Sequence, residues 1–185
     1  MEEKVEFFQA LYPQNKCEKL SENYELSLEL ENISLSVYSP STVSSSEDIA
    51  RMVFSPLHIE EDGTIKAAAF EDVRDKGLSV HRLDHAEEQT LKHLGDAMAS
   101  NAATEGRSKR DYVGYVKALT DDIRKLMEDE KRLFCVYDTA KETEKSHADV
   151  CAIFLDSDNP KLGKKAANKQ RRKRLQELFS SLIAC

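Results

Sequence analysis

The apolar residues of this chain fall into short blocks separated by polar stretches of uneven length, and the blocks carry two different periods. Leu78–Leu83, Tyr112–Val116, Leu133–Tyr137 and Val150–Leu155 are brief, rich in β-branched or aromatic residues and bounded by polar loops, which predicts strands. Tyr24, Leu26, Leu28 and Leu30 alternate with polar residues, as do Ile33, Leu35 and Val37, which predicts a further strand pair. Val5, Phe8, Leu11 and Tyr12 have helical spacing and meet a stop at Pro13. Ser46 is placed to cap a helix carrying Glu47, Asp48, Ile49, Met52 and Val53, which Pro56 would end. Asp62-Gly63 marks a tight turn. A helix from Asp84 to about Ser100 would bury Leu91, Leu94 and Met98, and Thr120 would open a short helix bearing Ile123, Leu126 and Met127. Strand and helix signals are mixed rather than alternating as repeated β-α units. The expected class is α+β, a largely antiparallel sheet with short packing helices and a C-terminal basic amphipathic helix.

With 185 residues, 40% hydrophobic and 33% charged, the chain is long enough for a core without disulfide or metal staples, and it is neither collagen-like nor disordered in composition. No uninterrupted apolar run approaches the roughly 20 residues of a spanning helix, and acids stand near the N-terminus where a secretory signal would carry bases. No membrane association is expected, and the expected location is the cytoplasm. Cys17, Cys135, Cys151 and Cys185 show no two-residue spacing of a zinc or redox motif and are expected as free thiols.

The net charge of −7 conceals a division at Pro160. Residues 161–185 carry eight bases and one acid, leaving 19 bases and 33 acids, a net −14, for residues 1–160. The reading is an acidic α+β domain over 1–160 and a basic C-terminal helix over 161–185. Within that helix Leu175, Leu178, Phe179, Leu182 and Ile183 recur at spacings of three and four, so an apolar stripe follows turns crowded with Lys161, Lys164, Lys165, Lys169, Arg171, Arg172, Lys173 and Arg174. Bases at this density with no intervening acid repel one another unless an anion lies nearby. The partner-binding residues are therefore taken as Lys164, Lys165, Lys169, Arg171, Arg172, Lys173, Arg174, Leu178, Phe179 and Leu182. The partner is an acidic protein surface or a nucleic-acid backbone; aromatic residues do not interleave the basic run, so base stacking is not indicated.

A second reading draws on the histidines. His58, His81 and His147 lie at predicted strand ends beside polar loops, with Ser79 and Arg82 close by, so a sheet could gather proton-transfer groups and an anion-binding arginine into one cleft. That constellation would suit an enzyme acting on a nucleotide-like or phosphodiester substrate. Local motifs give it little help. His81 and His85 are four apart but lack the glutamate of a metalloprotease helix, so no metal is expected. His147, Asp149 and Cys151 alternate along a strand, which puts the outer two about 13 Å apart, beyond hydrogen-bond reach. The six glycines form no dinucleotide or phosphate-binding loop, and no cofactor is expected. The leading expectation is an accessory or interaction protein working through its basic helix.

Overall fold

The computed structural model describes residues 2–11, 13–155 and 164–185, apart from the side chains of Pro13, Lys164, Lys165 and Ala167. Glu2–Gln9 forms helix α1, followed by α2 (Lys16–Glu22) and α3 (Tyr24–Leu30). Tyr24 to Leu30 is thus helical where alternation predicted a strand, and Ile33 to Val37 lies outside regular structure. Of the alternating residues Leu30 is fully buried, while Tyr24, Leu26 and Leu28 pack around the cluster only in part. Cys17, Leu20, Ser27 and Leu30 are the residues buried, at spacings a helix can bring to one side, and the Ser27 hydroxyl donates to the Leu20 carbonyl at 2.7 Å to join the two helices.

Asp48–Ser55 is strand β1, and its burial corrects the helix predicted there. It lies inside the sheet with apolar residues on both faces, so it shows no alternation for periodicity to find. Leu78–Arg82 is β2, and α4 runs from Glu88 to Thr104. Leu91, Gly95 and Ala102 form its buried side, while Met98, expected inside, is exposed. The reason is a close approach: a Cβ at Gly95 would run into the Tyr112 ring, so the helix lies down along its glycine rather than its methionine. Then come β3 (Asp111–Leu119), α5 (Thr120–Arg124), the small hairpin of β4 (Met127–Glu128) with β5 (Lys131–Arg132), β6 (Phe134–Asp138) and β7 (His147–Ala152). The final helix, α6, spans Lys164–Gln176.

Among the described residues the main sheet has five strands in the order β3-β1-β2-β7-β6, each neighbouring pair antiparallel, so the fold is α+β. One face carries Ile49, Val80, Val116, Val136 and Val150, covered by Phe70 and Val73 of the 3-10 helical segment Ala67–Arg74, by Ile123 of α5 and by Leu175 of α6. The opposite face is covered in two halves. Residues of α1–α3 pack on Cys135, Tyr137 and Cys151, and α4 packs on Ala50, Met52 and Phe54. Between these halves β2 contributes Ser79 and His81, which pair in register with Asp149 and His147 of β7. Strands β1 and β2 share only two register pairs, Ile49 with Arg82 and Ala50 with His81. Beyond them Arg51 donates to the Ser79 carbonyl at 3.0 Å and to the Ala69 carbonyl at 2.9 Å, tying β2 to the covering segment.

The expected C-terminal stripe is divided. The helix ends at Gln176, so Leu178, Phe179 and Leu182 are not on it; all three are half-buried against the core, with the Phe179 ring 5.0 Å from that of Phe70. Ile183 exchanges two backbone hydrogen bonds with Tyr115, at 3.0 and 2.8 Å, extending the sheet beyond β3. Gly114 permits this approach, since a Cβ there would collide with the Ile183 carbonyl. Backbone pairing to an open strand edge thereby replaces the last turns of the predicted helix.

Candidate functional site

The sheet brings two of the five residues of the enzymatic reading together. His81 and His147 are register partners on β2 and β7, and their ring centroids are 6.0 Å apart at a nearly perpendicular angle. His81 Nδ1 lies 3.2 Å from the Ser146 hydroxyl, and His147 Nδ1 lies 2.9 Å from Thr139 Oγ1 and 3.1 Å from its carbonyl. Both residues are 5% exposed. Burial, with the neighbouring His147 ring adding to it, pushes His81 down to about 4, and burial lowers His147 as well. At neutral pH the pair is therefore two uncharged imidazoles bridging adjacent strands with little surface for a reacting group. Ser79 shares their face, opposite Asp149, whose carboxylate takes a 2.9 Å contact from Lys16 of α2.

His58 and Arg82 sit elsewhere. His58 follows the end of β1, where its Nδ1 accepts from the Phe54 N–H at 3.3 Å and its ring packs edge-on to Phe54 at 5.7 Å. Burial, then the nearby Arg51 charge, lowers it to about 4. Arg82 points to the other face from His81 and is fully buried. Its Nε and NH2 grip Glu47 Oε2 and Oε1 at 2.6 and 2.8 Å, and NH1 and NH2 donate to the Ser41 carbonyl and hydroxyl at 2.6 and 3.0 Å. The guanidinium expected to meet a substrate anion instead pins the serine-rich segment before β1 to the sheet. Burial alone would raise the Glu47 carboxyl, but the Arg82 and Ser44 hydrogen bonds and the Arg82 charge bring it below its ordinary value.

The basic helix α6 is built onto the domain by three kinds of contact. Leu175 is fully buried in the core. Arg171 is 5% exposed, with Nε and NH2 each 3.3 Å from Glu128 Oε2 and its guanidinium 5.9 Å from the Phe154 ring. Gln176 donates to the Ile65 carbonyl at 2.7 Å, and Arg174 to the Met127 carbonyl at 2.9 Å. Arg171, expected to face a partner, is thus turned inward, because a guanidinium can lie flat on an aromatic ring while pairing with a carboxylate. Arg172 lies 3.6 Å from Glu71 and remains partly exposed. Lys169 and Lys173 are exposed and four residues apart, hence neighbours on one row of the helix, and Lys173 lies 3.8 Å from Glu177. The side chains of Lys164 and Lys165 lie outside the described residues.

Sequence reasoning missed the residues that dock this helix: Glu128, Glu71 and Phe154 are 43, 101 and 17 positions from the arginines they meet. The excess of acid in the body signalled that internal countercharges existed, without saying where. Among the described residues no group of three or more His, Cys, Asp or Glu side chains is arranged to hold a metal, and no helix is long and apolar enough to cross a membrane. Comparison of the chain with protein-family models, with curated proteins and with solved structures finds no match to any of them.

Proposed function

We propose that this protein is an accessory module that engages an acidic segment of a partner protein on the outer face of α6. The observation carrying this reading is the exposed Lys169–Lys173 row, flanked by the partly exposed Arg172 and Arg174, on a helix anchored by Leu175 and Arg171. Like charges four apart oppose helix formation by about 0.2–0.5 kcal/mol, and an anion laid along the row would reverse that sign. A short acidic protein segment suits the patch better than a long nucleic acid. The rest of the chain carries net −14, which would repel a polyanion extending past the helix but not a ligand confined to it.

The test is fluorescence anisotropy with a labelled oligoglutamate and a duplex DNA of equal length, at low and physiological salt. The oligoglutamate should bind, and the double substitution Lys169→Gln with Lys173→Gln should weaken it about fivefold at low salt while leaving the melting temperature unchanged. Equal affinity of parent and variant would refute the reading. Tighter binding of the duplex would replace the acidic protein segment with a nucleic-acid backbone.

A further inference from the structure

Beneath α6 lies a cavity of about 340 Å³, bounded by the helix, by the segment Ala67–Arg74 and by the ends of β6 and β7. Its floor is apolar, made of Val73, Phe134, Ala152 and Leu155. Phe134 is fully buried, and Val73 and Ala152 are each 1% exposed. Arg74, Lys169, Arg171 and Arg172 also line it, with Glu71 and Asp75 as the carboxylates. Arg171 is matched by Glu128 outside the cavity, and Arg172 by Glu71. That leaves Arg74 and Lys169 against Asp75, a surplus of one positive charge among the described residues of the lining. The Nε of Arg172 is buried and meets no hydrogen-bond acceptor among the described residues, although its NH1 leans toward Glu71. A buried guanidinium N–H without an acceptor costs free energy that a bound anion would recover.

We infer that this cavity binds a small fatty carboxylate, its chain on the Val73–Phe134–Ala152 floor and its head group on Arg172 with Arg74 and Lys169. The volume is at the low end of small-molecule sites, which suits a ligand of modest size. A surplus of one charge suits a single carboxylate better than a doubly charged phosphate. The planar Nε–H edge of an arginine presents donors in the spacing of carboxylate oxygens. This site shares Lys169 and Arg172 with the basic surface of α6 but rests on its own apolar floor, and it does not depend on the acidic-partner reading.

Isothermal titration calorimetry of the full chain with decanoate tests it, with acetate and decyltrimethylammonium as comparators. Decanoate should bind saturably at one per chain and raise the melting temperature. Acetate, lacking the chain, and decyltrimethylammonium, carrying the opposite charge, should each bind at least tenfold more weakly. Arg172→Gln, at a partly exposed position, should weaken decanoate about tenfold or more, the loss expected for a charge-assisted hydrogen bond. Ala152→Leu should abolish binding by filling the floor, and Arg172→Gln keeps the test decisive if that variant fails to fold. Absence of saturable decanoate binding, equal binding of the cationic amphiphile, or an unchanged affinity in Arg172→Gln would overturn the inference. Oligoglutamate binding without decanoate binding would overturn this site alone, and decanoate binding without oligoglutamate binding would leave it standing.

Discussion

Replacing Arg82 with Met removes a fully buried guanidinium while retaining much of its length, and leaves Glu47 in place at 4% exposure. In the parent protein that carboxylate receives two charge-assisted hydrogen bonds from Arg82, at 2.6 and 2.8 Å, and one from the Ser44 N–H at 2.7 Å. The variant keeps only the Ser44 bond and also frees the Ser41 carbonyl that Arg82 holds at 2.6 Å. Removing one member of a buried ion pair costs roughly 3–5 kcal/mol, because the survivor stays desolvated without its countercharge. That is a large part of the 5–15 kcal/mol typical of a whole domain. The loss should depend on pH with a definite sign. In the parent protein Glu47 is held below its ordinary value, so its contribution is present above about pH 4.5 and fades as pH falls through the lower folded value. In Arg82→Met the unpaired carboxyl takes up a proton more readily, so the gap between variant and parent should narrow toward pH 4. Urea unfolding followed by circular dichroism at pH 7 and pH 4 measures both effects. Adding Glu47→Gln should recover part of the loss at pH 7, since a neutral amide is less costly to bury alone. A loss below 1 kcal/mol in the single variant, or strict additivity in the double variant, would refute the view that Arg82 is a structural clamp.

Acidification should destabilise the parent protein through its buried imidazoles. His81 and His58 are held near 4 against an ordinary 6.5, so between those values the unfolded chain binds protons that the folded chain refuses, and stability falls as pH drops. For His81 this amounts to about 2 kcal/mol at pH 5, and His81→Asn should show a correspondingly shallower fall in urea midpoints between pH 7 and 5; an identical slope would argue against burial as the cause. Gly114→Ala should detach the C-terminal residues from β3, because the added methyl meets the Ile183 carbonyl. Hydrogen exchange at the Ile183 amide, now bonded to Tyr115, should speed up by more than tenfold, and unchanged protection would count against the edge pairing.

The α+β class and the positions of β2, β3 and β6 were legible in the chain, and that of β7 in part, since it runs His147–Ala152 rather than Val150–Leu155; each has β-branched or aromatic residues bounded by polar breaks, and local chemistry suffices to make such a segment a strand. The turn at Asp62-Gly63 was legible for a similar reason: Gly63 has φ +86°, a conformation its neighbours could not supply cheaply. Two of the misread elements owe the error to partners that lie far away. The alternating leucines of Tyr24–Leu30 suggested a strand, yet tertiary packing selects the helical row through Ser27 and Leu30, and β1 conceals its period because both faces are covered. The candidate sites follow the same division. Sequence alone determined that positive charge is concentrated near the C-terminus and that His81 lies on a strand. Only the tertiary structure decided that Arg82 would be spent on Glu47, that His81 would meet His147 while His58 packed on Phe54, and that Arg171 would turn inward to Glu128 while Lys169 and Lys173 faced water. The physical reason is that the charge and period of a side chain are properties of its own residue and neighbours, whereas its burial and countercharge depend on segments tens of residues away that the folded sheet brings beside it.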